Sequence, residues 1–523
     1  MNARHECGIA AICALRDGRL DPSRDVAQHV PRLLLDMQMR GELAAGLTTY
    51  NPDRPRLLET FRGVGTVREV FSLGSRAGLE RLSRDLPGCA AIGHTRYATC
   101  GLDDVNYAQP FERQHGRTFK WFAFAFNGNL ANYAALKEAL QEERGYHVTL
   151  DTDTEVIQHH LSRALRGEDK PDFRDVLAEL AETFDGAWNL VFLNADGDLL
   201  IARDPLGFRP LCYGATHELF GAASESVALW NLGITDFVPL PPGHFAVVNR
   251  DGLRVEAFAA PRTPRPCFFE WVYFSHVASV IDGRSVYLAR SRLGEALAAR
   301  ETLAADERTV VVGVPDTAKA AADAMGHALG IPIVEGLVRN RYVGRTFIRP
   351  QDQRGAVLMK YTPIPDVLAG KRVLLVEDSI VRGSTLAHIV RDIRTRGQAA
   401  EVHLRISSPP ILHPCFYGID IATVGELLAR QYVDRLGGDA LPQGILDQMA
   451  AAVDADSLRY LPASAMPECI GVPPGELCMA CVTRDYPTEW GRRMTDLADE
   501  LVRTGETGRT HEVGTTYSRC REE

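Results

Sequence analysis

The chain has 523 residues, a formal net charge of −10 and a hydrophobic content of 45%. Its length predicts two large domains or slightly more, and its acidic balance argues against nonspecific attraction to nucleic acid or an anionic membrane. The sequence contains no apolar run of membrane-spanning length and no secretory signal, and its 11 cysteines do not suggest a disulfide framework. We therefore expect a cytoplasmic enzyme whose cysteines are free, catalytic or bound to metal.

The first predicted strand, Cys7-Gly-Ile-Ala-Ala-Ile12, begins with a cysteine. If the chain is cut before Cys7, residues 1–6 are a propeptide and Cys7 becomes the first residue. Its α-amine, with a usual pKa of about 7.7 to 8.0, could then activate its own thiol as a nucleophile. The alternative is a small buried apolar residue at the start of a strand, because free cysteine is commonly buried.

Three polar segments follow in the first half of the chain: Gly93-His-Thr-Arg-Tyr-Ala-Thr99, Phe126-Asn-Gly-Asn-Leu130 and Asp151-Thr-Asp-Thr-Glu155. Taken singly, Arg96 would be a surface charge, Asn127-Gly128 a hairpin turn and Asp153 a helix N-cap. The surrounding residues alternate short apolar strands with helical stretches, which predicts an α+β layered domain over residues 7–260. The strands are predicted at Gly8–Ala14, Trp188–Leu193 and Phe245–Val248, and one helix at residues 151–165.

A proline-rich segment, Ala259-Ala-Pro-Arg-Thr-Pro-Arg-Pro266, predicts an extended linker. After it, strands at Val310–Val314, Val373–Val376 and Val402–Ser407 alternate with helices at residues 317–329 and 384–396. This βαβ pattern predicts a parallel sheet in a second domain over residues 261–460, followed by a C-terminal segment, 461–523.

The segment Val373-Leu-Leu-Val-Glu-Asp-Ser-Ile-Val-Arg-Gly-Ser-Thr385 joins a buried strand to a helix through two carboxylates and a glycine-bearing turn. Residues 379–385 would offer backbone N–H groups and hydroxyls at a helix N-terminus, where the macrodipole favours a phosphate. Glu377 and Asp378 are placed to accept hydrogen bonds from two sugar hydroxyls and to stabilise positive charge developing on the ring. The alternative is an ordinary strand-loop-helix junction with solvated acids.

Two further segments of the second half could contact a second anion. Gly313-Val-Pro-Asp-Thr317 follows a strand and precedes a helix, and residues 338–350 hold four arginines around aromatic residues and a glycine. The second segment is either a solvated basic loop or a mobile lid that excludes water.

Cys478-Met-Ala-Cys481 brings two thiolates within one turn, an arrangement common for zinc or an iron–sulfur cluster. Two more thiolates must come from elsewhere. Cys469 is close enough in sequence to serve as a ligand. A tetracysteine zinc site and inert buried cysteines remain alternatives.

These motifs together resemble one protein family. Residues 373–385 are similar to the phosphoribosylpyrophosphate (PRPP) signature of the type I phosphoribosyltransferases, and the wording Asp378-Ser-Ile-Val-Arg-Gly383 to the glutamine PRPP amidotransferase branch. The three polar segments of the first half resemble the glutamine-binding elements of class II amidotransferases. The resemblance implies an N-terminal nucleophile hydrolase αββα glutaminase domain, followed by a type I phosphoribosyltransferase α/β domain.

The resemblance also implies roles for individual residues. Cys7 would be the nucleophile, with the Asn127 side chain and the Gly128 N–H as the oxyanion hole, while Arg96 and Asp153 would bind the glutamine α-carboxylate and α-ammonium groups. The implied PRPP-binding residues are Asp316, Arg341, Arg345, Lys360, Glu377, Asp378, Ser379, Arg382, Gly383, Ser384 and Thr385. Glu377 and Asp378 would also face the Mg²⁺ that PRPP carries. The cysteine contexts resemble a propeptide-processed, cluster-bearing subgroup, in which Cys267, Cys415, Cys478 and Cys481 would hold a [4Fe–4S] centre.

Members of this family make 5-phosphoribosylamine from glutamine and PRPP, the first committed step of purine synthesis. The resemblance therefore implies an internal ammonia channel, feedback by purine nucleotides and a homo-oligomer, either a tetramer or a dimer. The sequence departs from the family pattern at Glu42-Leu43, at Ser275-His-Val-Ala-Ser279 and at Lys360-Tyr-Thr-Pro363. Two alternatives therefore stay open: a paralogue that serves a specialised pathway, and a PRPP sensor that has lost its chemistry.

Overall fold

The computed structural model describes residues 7–97, 104–143, 146–150, 152–340, 361–419, 421 and 423–504. The strands are β1 (Gly8–Arg16), β2 (Arg19–Leu20), β3 (Ala44–Tyr50), β4 (Leu58–Val64), β5 (Ala90–Arg96), β6 (Phe111–Arg113), β7 (Phe122–Leu130), β8 (Gly186–Asn194), β9 (Leu199–Arg203), β10 (Cys212–Ala215), β11 (Leu219–Ala223), β12 (Phe237–Pro239), β13 (His244–Asn249), β14 (Gly252–Ala257), β15 (Val280–Ile281), β16 (Arg284–Ser285), β17 (Thr309–Gly313), β18 (Leu337–Arg339), β19 (Tyr361–Pro363), β20 (Arg372–Glu377), β21 (Glu401–Ile406) and β22 (Ser457–Tyr460).

The α-helices are His29–Asp36, Val67–Val70, Arg76–Asp85, Tyr133–Glu142, Asp153–Ala164, Phe173–Thr183, Ser226–Asn231, Val286–Ala298, Lys319–Leu329, Pro365–Leu368, Ser384–Thr395, Gln443–Ala452, Ala465–Ile470, Ala480–Thr483 and Glu489–Thr504. Short 3₁₀ turns occur at Gln38–Arg40, Val105–Tyr107, Thr118–Lys120, Val424–Glu426 and Ala429–Gln431, and Glu270–Phe274 form a π-helical turn. No helix in the described part of the chain combines the length and apolar character needed to cross a membrane.

Two antiparallel sheets lie face to face in the first half of the chain. One has the strand order β12-β10-β11-β1-β5-β3-β4, with β2 paired to β1, and the other the order β14-β13-β9-β8-β7-β6. Side chains alternate between two environments along each strand. In β1, Ile9 packs between the two sheets and Ile12 packs against the helix His29–Asp36. In β7, Ala125 packs between the two sheets and Phe124 packs against helices on the outer face. The result is a helix–sheet–sheet–helix stack.

The second half of the chain is built on a parallel sheet with the strand order β17-β20-β21-β22. Its strands carry apolar residues on both faces because helices cover both sides. The face of the sheet that carries Val311 packs against the helices Val286–Ala298 and Lys319–Leu329. The opposite face, which carries Val312, packs against the helices Ser384–Thr395 and Gln443–Ala452.

The predicted elements match the structure closely. All six predicted strands and three predicted helices are present, with ends that differ by one or two residues, and the helix predicted from residue 317 begins at Lys319. The proline-rich segment 259–266 forms neither helix nor strand. The single-residue alternatives were wrong at three places. Asn127 and Gly128 do not form a hairpin turn, because both lie within β7, paired with β8. Arg96 is buried rather than a surface charge, and the helix Asp153–Ala164 is capped by Thr152 rather than by Asp153.

Candidate active site

Cys7 lies at the start of β1, where β5 is its neighbour. Its Sγ donates a hydrogen bond to the carbonyl of Tyr97 at 3.6 Å, and the charged groups of Arg96, Asp153 and Arg40 lie within electrostatic range. Burial raises the pKa of the Cys7 thiol to about 11, against the smaller opposing effect of Arg96. The thiol is therefore neutral at pH 7 and needs a base to become a nucleophile. The predicted propeptide, residues 1–6, lies outside the described residues.

The backbone N–H of Gly128 in β7 points away from the neighbouring strand β8. Its register partner in β8 is Trp188, whose N–H donates to Asp204 Oδ2 at 3.4 Å and whose carbonyl accepts from Asp204 N at 3.0 Å. Because the polar groups of a non-hydrogen-bonded antiparallel pair point away from each other, the Gly128 amide points away from β8. Its φ is +148°, and a Cβ there would lie 1.9 Å from the Ala187 carbonyl oxygen, so only glycine fits.

The residue before the predicted oxyanion hole is held from two sides. The N–H of Phe126 donates to Gln109 Oε1 at 2.7 Å, and its carbonyl lies 3.2 Å from His94 Nε2. Burial lowers the pKa of His94 to about 3, so the ring is neutral and its Nε2 must be the protonated nitrogen that donates to this carbonyl. The Asn127 side chain in turn donates to Ser224 Oγ at 3.4 Å.

Sequence reasoning missed these supporting residues. His94 lies inside the polar segment of residues 93–99, whereas Gln109 and Ser224 lie outside the three polar segments. Nothing local distinguishes a residue that holds the backbone of β7 from one that lines a pocket. The useful signal is their type: each is a polar residue that the structure buries.

Asp153 and Arg96, the residues predicted to bind the glutamine main-chain groups, both come close to Cys7. Asp153 is the first residue of the helix Asp153–Ala164, and burial raises the pKa of its carboxyl to about 6, opposed by hydrogen bonds that include the Leu130 N–H. Within the described residues its buried Oδ2 has no hydrogen-bond partner. Such an oxygen suits an ammonium ligand. The Arg96 guanidinium lies 5.4 Å from the centroid of the Tyr107 ring.

The predicted PRPP signature lies at the carboxyl end of β20, where ligands bind in open α/β sheets. Glu377, Asp378 and Ser379 are buried, and the helix Ser384–Thr395 begins after Gly383, whose φ is +75°. Asp378 accepts hydrogen bonds from Ser379 Oγ at 2.6 Å and from Thr317 Oγ1. Burial raises the pKa of the Asp378 carboxyl.

A small cleft lies beside this turn. It is lined by Tyr361, Glu377, Ser379, Ile380, Val381, Gly383, Thr385, Leu386 and Ile389. The predicted second anion loop reaches the same place, because its Thr317 bonds Asp378. The structure thus brings together the signature turn and the Gly313–Thr317 loop.

Two other predicted PRPP residues form ion pairs, and three lie outside the described residues. Asp316 Oδ2 pairs with Arg339 Nη1 at 2.7 Å, and Arg382 Nη2 pairs with Glu426 Oε2 at 2.9 Å. Ser384 accepts a hydrogen bond from His388 Nδ1 through its carbonyl at 2.6 Å. Arg341, Arg345 and Lys360 lie outside the described residues.

The four cysteines predicted to bind a metal centre converge from three parts of the chain. Cys267 and Cys478 form a parallel bridge, in which Phe268 N donates to the Cys478 carbonyl at 3.3 Å and Cys478 N to the Pro266 carbonyl at 2.9 Å. Cys481 and Cys415 complete the group, and the thiols lie within electrostatic range of one another. Burial raises the pKa of Cys267 to about 12.

The number of thiols matches the ligand number of either a tetracysteine iron–sulfur cluster or a tetracysteine zinc site. Three of the four thiols are buried, and Cys415 is half-buried. Yet, over the residues that the structure describes, no three His, Cys, Asp or Glu side chains are grouped tightly enough to hold one metal ion. Each thiolate of a tetracysteine cluster binds a different iron, so its thiols need not converge on a point. Cys469 does not belong to the group: its thiol contacts the Arg292 carbonyl at 3.6 Å, and its charged neighbours are Glu468, Arg300, Arg292 and Glu295 rather than the four cysteines.

Known proteins match the chain over most of its length. A domain profile described as a glutamine amidotransferase domain matches residues 84–240. The amidophosphoribosyltransferase of Methanothermobacter thermautotrophicus is 39% identical over 490 residues, which cover 93% of this chain and 95% of the relative. This chain belongs to the amidophosphoribosyltransferase family. The family's Bacillus subtilis member is 36% identical over 87% of this chain and 90% of its own.

Solved structures of the amidophosphoribosyltransferase family have the same fold. Glutamine PRPP amidotransferase from B. subtilis, complexed with ADP and GMP, aligns with a TM-score of 0.78 at 34% identity, covering 92% of this chain and 98% of that one. A second structure, described as the allosteric regulatory enzyme of purine biosynthesis, has the same TM-score at 35% identity, covering 92% and 96%. The predicted family and fold class are therefore confirmed. The individual site residues stay predictions.

Proposed function

We propose that this chain converts glutamine, PRPP and water into 5-phosphoribosylamine, glutamate and pyrophosphate, the first step of purine nucleotide biosynthesis. It would thus be a pentosyltransferase that obtains ammonia from glutamine. The observation that carries the proposal is the presence of two half-sites in one chain. Cys7, Arg96 and Asp153 meet in the antiparallel half, and a strand of the parallel half ends at Glu377, next to Asp378, before the turn that we propose binds phosphate.

In the first half-reaction, the Cys7 sulfur would attack the side-chain amide carbon of glutamine. Removal of residues 1–6 would expose the Cys7 α-amine, which takes the thiol proton and later delivers it to the departing nitrogen. The Asn127 amide and the Gly128 N–H would donate to the oxyanion, and ammonia leaves behind a thioester that water hydrolyses to glutamate. A donor of this kind contributes about 3 kcal/mol to the stability of the transition state.

In the second half-reaction, ammonia forms a bond to the anomeric carbon of PRPP as the bond to pyrophosphate breaks. Glu377 and Asp378 would accept hydrogen bonds from the ribose hydroxyls, and residues 379–385 would bind the 5-phosphate at the helix N-terminus. Mg²⁺, when bound with PRPP near Glu377 and Asp378, would neutralise charge on the leaving pyrophosphate. An internal channel would keep the ammonia from bulk water, where it is lost to protonation.

Several properties accompany this proposal. Cys267, Cys415, Cys478 and Cys481 would hold a [4Fe–4S] cluster with a structural or oxygen-sensing role, because amide transfer needs no electron. Purine nucleotides would inhibit the enzyme, as suggested by the ADP and GMP in the B. subtilis structure. We also propose a cytoplasmic homo-oligomer, tetramer or dimer, with domains at 7–260 and 261–460.

The test is a steady-state assay of glutamate and pyrophosphate release with and without PRPP. Cys7→Ala should abolish glutamine-dependent synthesis and keep synthesis from ammonia, whereas Asp378→Asn should lower both. Cys469→Ala, a cysteine outside both sites, is the matched control and should behave as wild type. The proposal is wrong if Cys7→Ala still hydrolyses glutamine, if PRPP does not stimulate hydrolysis, or if neither nitrogen source yields phosphoribosylamine.

A further inference from the structure

The loop that carries Cys415 reaches from the parallel-sheet half to the predicted oxyanion hole. Its residues Cys415, Phe416, Tyr417 and Gly418 end against β7 of the other half. The Phe416 carbonyl accepts a hydrogen bond from Asn129 Nδ2 at 3.2 Å, one residue beyond Gly128. This loop, residues 415–418, therefore contacts the backbone on which the oxyanion amide depends.

Gly418 of the loop packs directly against the backbone of Gly128 in β7. A Cβ on Gly418 would lie 3.0 Å from the carbonyl carbon of Gly128 and 3.2 Å from its Cα and oxygen. Gly418 has a φ of +102°, which favours glycine. On its other side, Gly128 is closed by the Ala187 carbonyl. The backbone at Gly128 is thus confined between β8 and the 415–418 loop, with no side chain between them.

The loop itself is held by contacts from several directions. Arg209 Nε donates to the Tyr417 carbonyl at 2.9 Å, and the Tyr417 ring stacks on Phe208 with centroids 4.3 Å apart. The Tyr417 hydroxyl lies 3.0 Å from Thr488 Oγ1, and Tyr417 N donates to Cys415 Sγ at 3.4 Å. These contacts therefore fix the position of the 415–418 loop independently of β7.

We infer that residues 415–418 position the Gly128 amide for glutamine hydrolysis, so that Gly418 and Asn129 are positioning residues of the glutaminase site. The inference rests on the proposed function. A donor displaced by a few tenths of an ångström points away from the developing oxyanion and loses much of its effect, because such donors act only when they are preorganised. The loop has no comparable contact with Cys7 among those described here.

The experiment compares Gly418→Ala and Asn129→Ser with Gly425→Ala. A Cβ on Gly425 would meet nothing within 4 Å, which makes that variant a matched control. Three rates are measured on the processed enzyme: glutamine hydrolysis with PRPP, phosphoribosylamine formation from ammonia, and alkylation of Cys7 by iodoacetamide. Only the first needs an oxyanion hole.

For Gly418→Ala we expect kcat for glutamine hydrolysis to fall about tenfold, a fraction of the roughly 10²- to 10³-fold cost of losing a whole oxyanion donor. The KM for glutamine, ammonia-dependent synthesis and Cys7 alkylation should stay within about twofold. Asn129→Ser, which cannot reach Phe416, should show the same pattern more weakly.

The inference is overturned if both variants hydrolyse glutamine as fast as Gly425→Ala. It is also overturned if ammonia-dependent synthesis or Cys7 alkylation falls in parallel, since that reports general damage to the fold. A wild-type enzyme that makes no phosphoribosylamine from ammonia would instead contradict the proposed function.

Discussion

Arg40 and Glu270 form a buried two-point ion pair between the glutaminase half and the transferase half. Arg40 Nη2 lies 2.7 Å from Glu270 Oε2, and Nη1 lies 3.3 Å from Oε1. Arg40 also pairs with Glu225 at 2.7 Å, and Ser275 Oγ donates to Glu270 Oε2 at 2.6 Å. Burial would raise the pKa of Glu270, but Arg40 and Arg209 hold it below its usual range. The buried Glu270 carboxyl therefore stays ionised, because it is paired with Arg40 and Arg209.

Removing Glu270 should destabilise the enzyme strongly. Glu270→Ala leaves Arg40 and Arg209 with less compensation in a buried site, which costs about 3 kcal/mol and lowers the thermal midpoint by roughly 5 to 10 °C. Differential scanning calorimetry measures the shift. Glu80→Ala is the control, because its pair with Arg76 is exposed and should matter little. Equal midpoints for the two variants would contradict the prediction.

Glutamine use should weaken below pH 6 in a way that reports Asp153. Its carboxyl, with a pKa raised to about 6 by burial, must be ionised to bind the α-ammonium group of glutamine. Since the Cys7 α-amine must also be deprotonated, log kcat/KM for glutamine should rise with slope 2 below pH 6 and slope 1 above it. Ammonia-dependent synthesis, measured at a fixed concentration of neutral ammonia, should lack the extra slope. A single slope through pH 6 would exclude this role for Asp153.

Cleavage before Cys7 should change the reactivity of its thiol. In the intact chain, burial raises the thiol pKa to about 11, so alkylation by iodoacetamide at pH 7.5 should be slow. The processed chain, with its α-amine beside the thiol, should be alkylated at least tenfold faster and should hydrolyse glutamine. Intact mass identifies each form. Rapid glutamine hydrolysis by a chain that retains residues 1–6 would rule out the α-amine as the base.

Metal content should distinguish the two sets of cysteines. Protein purified without oxygen should show a native mass excess matching four irons and four sulfides, and Cys415→Ser should lose it while Cys469→Ser keeps it. Because residues 415–418 support Gly128, metal loss should lower glutamine hydrolysis more than ammonia-dependent synthesis. A content of one zinc per chain would contradict the cluster and indicate a tetracysteine zinc site. Full metal content in Cys415→Ser would exclude Cys415 as a ligand.

The sequence predicts local structure best where the informative residues are contiguous. The strand, acids and glycine turn of residues 373–385 are local, as is the Cys478-Met-Ala-Cys481 pair, and the structure places both as expected. The supports of the site could not be predicted in the same way. Gln109 and Ser224 reach β7 from distant segments, and the partner of Asp316 proved to be Arg339. Such contacts depend on how the sheets stack, and a periodic pattern does not encode that.

The contact between Gly418 and Gly128 also has a consequence for the order of synthesis. Cys7, the proposed nucleophile, leaves the ribosome early, and the antiparallel half can fold while the rest is still being translated. The loop that backs its oxyanion strand arrives near the end, and Cys478 and Cys481 arrive later still. A nascent or truncated chain would therefore hold the nucleophile without its support. Ammonia release would stay slow until the domain that consumes the ammonia has been made.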